Sequence, residues 1–195
     1  MSFLIRQFQP LRSARIGITP YLTSPIRNFS ISRPIMFQVG DSIKTGLPGI
    51  FENSPGNYVD IGKEVAKGKY VIVGLPAAFS PACTSSHVPG YAEHLKDLEA
   101  KGVKGVFIVP VNDPFVTKAW ADSLNVPKGI RILADTRGAF AESGGALFDS
   151  EEVFGNKRSG RYAIIVDDGV VSKVFEEPDK TGLKVSSAEN VLKAL

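Results

Sequence analysis

The 195-residue sequence is short of cysteine, histidine and long apolar runs, with one Cys and two His in all, and each scarcity excludes a class of protein. A lone Cys83 cannot close an intrachain disulfide, and no CxxC-type spacing offers a zinc framework. Its thiol is therefore free, joined to another molecule, or inert. No apolar stretch approaches the roughly 18 to 20 residues that a membrane-spanning helix requires. In the first 36 residues the short ones are broken by Arg, Gln and Pro, so that segment reads as neither a membrane anchor nor a secretory signal. Acidic residues are wholly missing from the first 36 positions. The composition as a whole, 43% hydrophobic and 22% charged, matches an ordinary soluble domain able to bury one core.

What the first 36 residues do contain is arginine: Arg6, Arg12, Arg15, Arg27 and Arg33, among several serines. An arginine-rich, acid-free N-terminus has the composition of an organelle transit peptide. The stretch "RNFSISRPIM" resembles a two-step mitochondrial processing site that would leave a mature start near Phe37. The expected location is the mitochondrial matrix. Plastids are the weaker alternative, and a basic arm contacting nucleic acid or lipid is the bland one. Met36, just ahead of the expected folded region, also allows a shorter cytosolic form. Losing the five arginines takes the formal net charge from +3 to −2 for residues 37 to 195. A near-neutral domain carries no charge signal for a polyanion such as nucleic acid, and no membrane partner is expected.

Residues 37 to 195 alternate strand-like and helix-like segments. "KYVIVGLP" (69 to 76) is a short buried run ended by Gly and Pro, read as a central strand. "CTSSHVPGYAEHLKDLEAKG" places Tyr91, Leu95 and Leu98 at helical spacing, so it reads as helical beyond Pro89 and ends at Gly102. "VKGVFIVPV" is the next strand. "NDPFVTKAWADSL" opens with a capping residue and Pro114, and puts Val116, Ala119 and Trp120 on one face. "RILAD" reads as a third strand, and "RYAIIVDDGVVSKVFEE" as two strands joined at Asp168-Gly169. In "SSAENVLKAL", Ser186 with Glu189 three residues on is the pattern of a capping box. Strand, helix, strand in succession implies right-handed parallel crossovers, and the hairpin adds antiparallel strands. The expected fold is α/β, a mixed sheet flanked by helices.

The single cysteine lies at a strand-to-helix junction, "LPAAFSPACTSSHVPGY". Ser80-Pro81 is a helix-start signal, with Ser80 as N-cap, Pro81 first in the helix and Cys83 third. A thiolate there faces unpaired N–H groups and the positive end of the helix dipole, which favour it over the thiol. Ser80 can accept from the helix backbone and donate its one proton to the sulfur or to a substrate oxygen. Pro76, rigid and without an N–H, can wall the pocket against water. Pro89 displaces the Ser85 carbonyl, so the turn holding Cys83 reads as weakly anchored. The plain alternative is a core cysteine acting as a small hydrophobe. Against it stand the flanking Ala82, Thr84, Ser85 and Ser86, in the kind of junction that carries function.

This segment resembles the active site of peroxiredoxins, whose pattern of Pro, three residues, Thr or Ser, two residues and Cys is met by Pro76, Ser80 and Cys83. "SSHVPGY", "VNDPFVTKAW", "LADTRGAF" and "GNKRSGRYAIIVDDGVV" are similar to the type II, peroxiredoxin-5-like branch, from about Phe37 to Leu195. The resemblance implies a thioredoxin-like sheet with an N-terminal extension, a peroxidatic role for Cys83, and an active-site arginine at Arg161. It also implies a non-covalent homodimer, and no cofactor or metal. Ser80 stands where most relatives have Thr, and Ala82 where many have Thr or Gly. The resolving cysteine of animal members would fall near Val185, and no second cysteine exists.

The chemistry implied is that of a 1-Cys peroxidase reducing hydrogen peroxide or organic hydroperoxides through a Cys83 sulfenic acid. Arg161, Ser80 and the Cys83 N–H orient the peroxide and carry its developing charge. An external thiol then recycles Cys83, either glutathione with glutaredoxin or thioredoxin. A peroxide sensor or binding protein on the same scaffold is the alternative. Weaker constellations surround this one. His87 and His94 follow Cys83 by four and eleven residues, too few ligands for a stable zinc site; His87 reads as a hydrogen-bonded structural histidine. Lys157, Arg158 and Arg161 form a small basic cluster from which only Arg161 is expected to point inward. Phe115 and Trp120 read as core or subunit contact.

Overall fold

The structure is a computed structural model and describes residues 36–195. The targeting segment expected over residues 1–36 lies, but for Met36, outside them. The elements run β1 (Ile50–Phe51), α1 (Ile61–Glu64), β2 (Lys69–Leu75), a π-turn (Cys83–His87), α2 (Val88–Glu93), α3 (Leu95–Ala100), β3 (Val103–Pro110) and α4 (Pro114–Ser123). They continue with β4 (Ile130–Ile132), β5 (Ala134–Asp135), α5 (Ala139–Ser143), β6 (Leu147–Phe148), α6 (Glu151–Phe154), β7 (Arg158–Ser159), β8 (Tyr162–Asp167), β9 (Val170–Glu176) and α7 (Ala188–Ala194).

Five strands form the central sheet in the order β4-β3-β2-β8-β9. The pairs β2–β3 and β3–β4 are parallel, while β2–β8 and β8–β9 are antiparallel. The mixed, helix-covered sheet read from the sequence is therefore present. It is buried on both faces because alternate residues of a strand point to opposite sides. Val71, Val73 and Leu75 join Tyr91, Leu98, Trp120 and Cys83 in one core. Ile72 belongs to the other, with Phe107, Ile164 and the N-terminal extension residues Phe37, Ile43, Ile50 and Ile61. An uninterrupted apolar run is what a strand covered on both faces requires.

The β8–β9 hairpin turns at Asp168-Gly169, where both residues have positive φ, 49° and 81°, the backbone that a two-residue type I′ turn demands. A different glycine matters to the site. A Cβ on Gly74 would stand 2.1 Å from the Tyr162 ring, so only glycine lets β8 seat that aromatic on β2, one residue after Arg161.

Three local expectations are corrected. "RILAD" is split: β4 belongs to the main sheet, but after Leu133 the chain turns away and β5 pairs with β1. On α4 the buried residues are Pro114, Thr117 and Trp120, while Ala119 is exposed. The terminal helix is capped by Ser187, which accepts from Asn190 N–H, not by Ser186. Ser186 is buried and donates its hydroxyl to Glu177, so the capping box does not form.

Candidate active site

The helix carrying Cys83 begins at Pro81, as its Ser-Pro signal predicts, and Thr84 N–H donates to the Ser80 carbonyl. Pro89 does not break it. The proline cannot donate to Ser85, and the ladder widens instead: Val88 N–H reaches the Cys83 carbonyl in a π-turn over Cys83–His87. An inserted π-turn is a known way to carry a proline through a helix. Cys83 and His87 thus share one buried face, 0% and 1% exposed. The turn is also better anchored than expected. Ser85 Oγ donates to the Pro81 carbonyl, and Trp120 Nε1 donates to Thr84 Oγ1 at 3.1 Å.

Ser80 departs from its expected bonding. Its hydroxyl donates to the Ala77 carbonyl at 2.9 Å, so its proton is spent on the loop, not on the sulfur, and the Cys83 turn has no side-chain cap. What Ser80 keeps for a ligand is acceptor capacity. Pro76 is buried in the bend just after β2, as a wall of the site would be.

Arg161 arrives from the other side of the site. Its N–H donates to the Lys180 carbonyl, its carbonyl accepts from Glu177 N–H, and its Nε donates to the Thr181 carbonyl at 3.1 Å. The clamped guanidinium is 2% exposed and sets Nη1 3.3 Å from Cys83 Sγ and 3.0 Å from His87 Nδ1. None of the ion pairs among the described residues includes Arg161. A buried cation without a carboxylate partner is costly, and besides His87 the side chain its Nη1 reaches is Cys83.

His87 is not a free acid–base group. Burial first, and then the Arg161 charge, push its pKa down to about 4, so it is a neutral acceptor at Nδ1. Its Nε2 lies 3.0 Å from the Ser186 carbonyl, which also accepts from Tyr91 Oη. His94 Nδ1 lies 3.3 Å from Asp97 Oδ2. No cluster of three or more metal-ligating side chains occurs among the described residues.

The structure brings together Pro76, Ser80, Cys83 and Arg161 around one strand end and divides the basic cluster. Lys157 is exposed, and Arg158 bonds the Val111 carbonyl. Trp120 is core, but Phe115 is 67% exposed. A cleft of about 890 Å³ beside α6 and Thr181 contains none of the four residues, so concavity alone would misplace the chemistry. The residue that sequence reading undervalued is His87: nothing local to "SSHVPG" shows that a carbonyl 99 positions later holds it.

Comparison with known proteins places the chain in a family. The family profile described as Redoxin matches residues 38–192, and the chain belongs to that family of thiol-based proteins. A Schizosaccharomyces pombe protein, peroxisomal membrane associated protein 20, is 43% identical over 148 residues, 75% of this chain and 92% of its own length. Rice peroxiredoxin-2C is 37% identical over 158 residues, 80% of this chain and 97% of its own. The crystal structure of reduced Prx3 with hydrogen peroxide from Vibrio vulnificus superposes with a TM-score of 0.75. It is 35% identical, over 82% of this chain and all of that one. Within the family, the chain is a peroxiredoxin, a thiol-dependent peroxidase.

Proposed function

We propose that Cys83 is the peroxidatic thiol and that the enzyme works as a 1-Cys peroxidase, recycled by an external thiol. The observation that carries this is the buried Arg161 Nη1, 3.3 Å from Cys83 Sγ and without a carboxylate partner among the described residues. The thiolate attacks one peroxide oxygen; the S–O bond forms as the O–O bond breaks, and the departing oxygen leaves as water or an alcohol after taking a proton from solvent. Arg161 and the uncapped N–H groups of the turn stabilise charge on the oxygens, and Ser80 Oγ accepts a hydrogen bond from the peroxide O–H. Cys83 becomes a sulfenic acid. A first external thiol condenses with it to a mixed disulfide and water, and a second thiol releases Cys83 with formation of the reductant's disulfide. With Cys83 wholly buried, that exchange requires the π-turn to open.

The reductant is an external thiol, glutathione with glutaredoxin or thioredoxin, because Val185 stands where a resolving cysteine would and no other cysteine exists. A homodimer through the surface bearing Phe79 and Phe115, 54% and 67% exposed, also fits. Ala78 N–H donates to Asn112 Oδ1 at 2.9 Å, tying the Phe79 loop to the start of α4, so the two exposed rings flank one junction. Residues 1–36 serve, on this reading, as a mitochondrial targeting segment; their five arginines and lack of acid support it.

The test is stopped-flow mixing of the reduced full chain with hydrogen peroxide, followed by Trp120 fluorescence and sulfenic-acid trapping, then turnover with each reductant. Fast oxidation with turnover on a thiol donor is the expected result. A rate equal to that of free cysteine sinks the peroxidase reading. Fast oxidation with no turnover on any donor turns it into a peroxide sensor.

A further inference from the structure

Immediately after β9, Glu177 is 0% exposed, and one of its carboxylate oxygens does unusual service. Oε1 accepts the N–H groups of Lys184 at 2.9 Å, Val185 at 2.8 Å and Ser186 at 2.8 Å, and the Ser186 hydroxyl at 2.8 Å. Successive N–H groups converging on one anion form a nest. Burial raises the Glu177 pKa, but the bonds from Ser186, Val185 and Lys184 outweigh it and hold the group below its usual range, so it is ionised in this fold.

Wrapping residues 184 to 186 around Oε1 turns the Ser186 carbonyl inward, where it lies 3.0 Å from His87 Nε2 and accepts from Tyr91 Oη at 2.9 Å. An acceptor at Nε2 requires the ring hydrogen there. Nδ1 is then a bare lone pair, and it meets Arg161 Nη1 at 3.0 Å. The same Nη1 carries its second hydrogen towards Cys83 Sγ at 3.3 Å. With the other tautomer, two N–H groups would oppose each other and Arg161 would have to move.

We infer that Glu177 is a positioning residue for the peroxidase: its carboxylate shapes the 184–186 turn, which locks His87 as the Nε2–H tautomer and thereby aims Arg161 at Cys83. This rests on the peroxidase reading above and adds a residue that touches neither sulfur nor substrate.

Three measurements on the full chain test it. Ring-nitrogen NMR of the wild type at neutral pH should show His87 as the neutral Nε2–H tautomer; an Nδ1–H tautomer overturns the inference without any variant. Glu177→Gln should mix the two tautomers and slow the reaction with hydrogen peroxide roughly tenfold, the low end of what partners behind a site ligand contribute in metal sites. An unchanged rate and spectrum in that variant count against it. In a His87→Phe background the same Glu177→Gln change should add almost nothing, because the path is already cut. Effects that multiply, as for independent sites, overturn the relay and leave Glu177 merely structural. A wild type that reacts no faster than free cysteine sinks the peroxidase reading, and the tautomer measurement still decides on the lock.

Discussion

Two helix starts in this protein follow the same grammar and are put to opposite uses. At α4, Asp113 is the N-cap, Pro114 the first helical residue, and Asp113 Oδ1 accepts from Phe115 N–H at 2.9 Å and Val116 N–H at 3.0 Å. At the active turn, Ser80 and Pro81 occupy the same places, with Ala82 and Cys83 where Phe115 and Val116 stand. There the side chain turns away to the Ala77 carbonyl, and the turn is left without a side-chain cap. A helix N-terminus has N–H groups to give; one start spends them on its own carboxylate, and the other leaves them free of any side-chain acceptor. The difference lies in where one side chain bonds: Asp113 holds two N–H groups of its helix, and Ser80 holds none.

The largest effect expected on this comparison comes from removing the group that the open start serves. Cys83→Ser should abolish peroxide reduction and leave the fold intact, whereas Val116→Ala, the equivalent position of the closed start, should leave the rate unchanged; both are read by stopped flow. Residual turnover in Cys83→Ser would mean another group performs the chemistry. Next comes a conversion of one start into the other. Ser80→Asp should cap Ala82 and Cys83 as Asp113 caps α4, firming the helix but slowing peroxide attack at least about 100-fold, the loss typical when a donor to developing negative charge is taken away. If Ser80→Asp reacts at the wild-type rate, the uncapped N–H groups play no part.

Much of this contrast was legible in the sequence, and the illegible part has a physical reason. Ser80-Pro81 and Asp113-Pro114 both announce helices because proline fits the first turn and a short polar side chain fits the cap. Pro76, Ser80 and Cys83 were expected together from their spacing and Arg161 from the family resemblance, and the structure sets Arg161 beside the sulfur. Which way the Ser80 hydroxyl points was not, since it depends on where the Ala77 carbonyl lies in the folded loop. The π-turn was expected only as a weakly anchored turn, because proline's missing donor can also be met by widening the ladder, and the choice is made by what packs outside it. Here those neighbours are Trp120 on Thr84 and Arg161 on His87, both distant in sequence. The Ser186 capping box failed for a similar reason: a buried carboxylate claimed the serine first.

A third helix start sharpens the comparison through pH. Asp135 Oδ2 accepts from Phe140 and Ala141 N–H, both at 3.0 Å, and burial, against those bonds, pushes its pKa up from 3.8 to about 6. In that window the folded chain holds a proton that the unfolded chain lacks, so acidification favours folding. His87 on the active turn runs the other way, since burial and Arg161 lower it from 6.5 to about 4. There the unfolded chain holds the extra proton, and acidification favours unfolding. Between pH 6.5 and 4.5, His87 loses about 2 kcal/mol and Asp135 returns about 2 kcal/mol. Wild-type stability by urea titration should therefore be nearly level across that range. Asp135→Asn removes the compensation and should fall steadily towards the acid side. A level profile in Asp135→Asn would show that His87 is not held neutral.

The smallest effect belongs to the closed start itself. Asp113→Ala removes a cap and should lower stability by about 1 kcal/mol, read as a shift of the urea midpoint with unchanged slope. The informative half of the experiment is the peroxide rate. The α4 start abuts the active loop through Asn112 Oδ1 and Ala78 N–H, so the two starts touch through a neighbour of Asp113 and not through the cap. If capping at α4 is purely structural, the rate constant for Cys83 oxidation stays at the wild-type value while stability falls. A rate that drops together with stability would mean that the fraying of α4 reaches the Ala77–Ser80 loop. The closed start would then be a support of the open one, not its structural opposite.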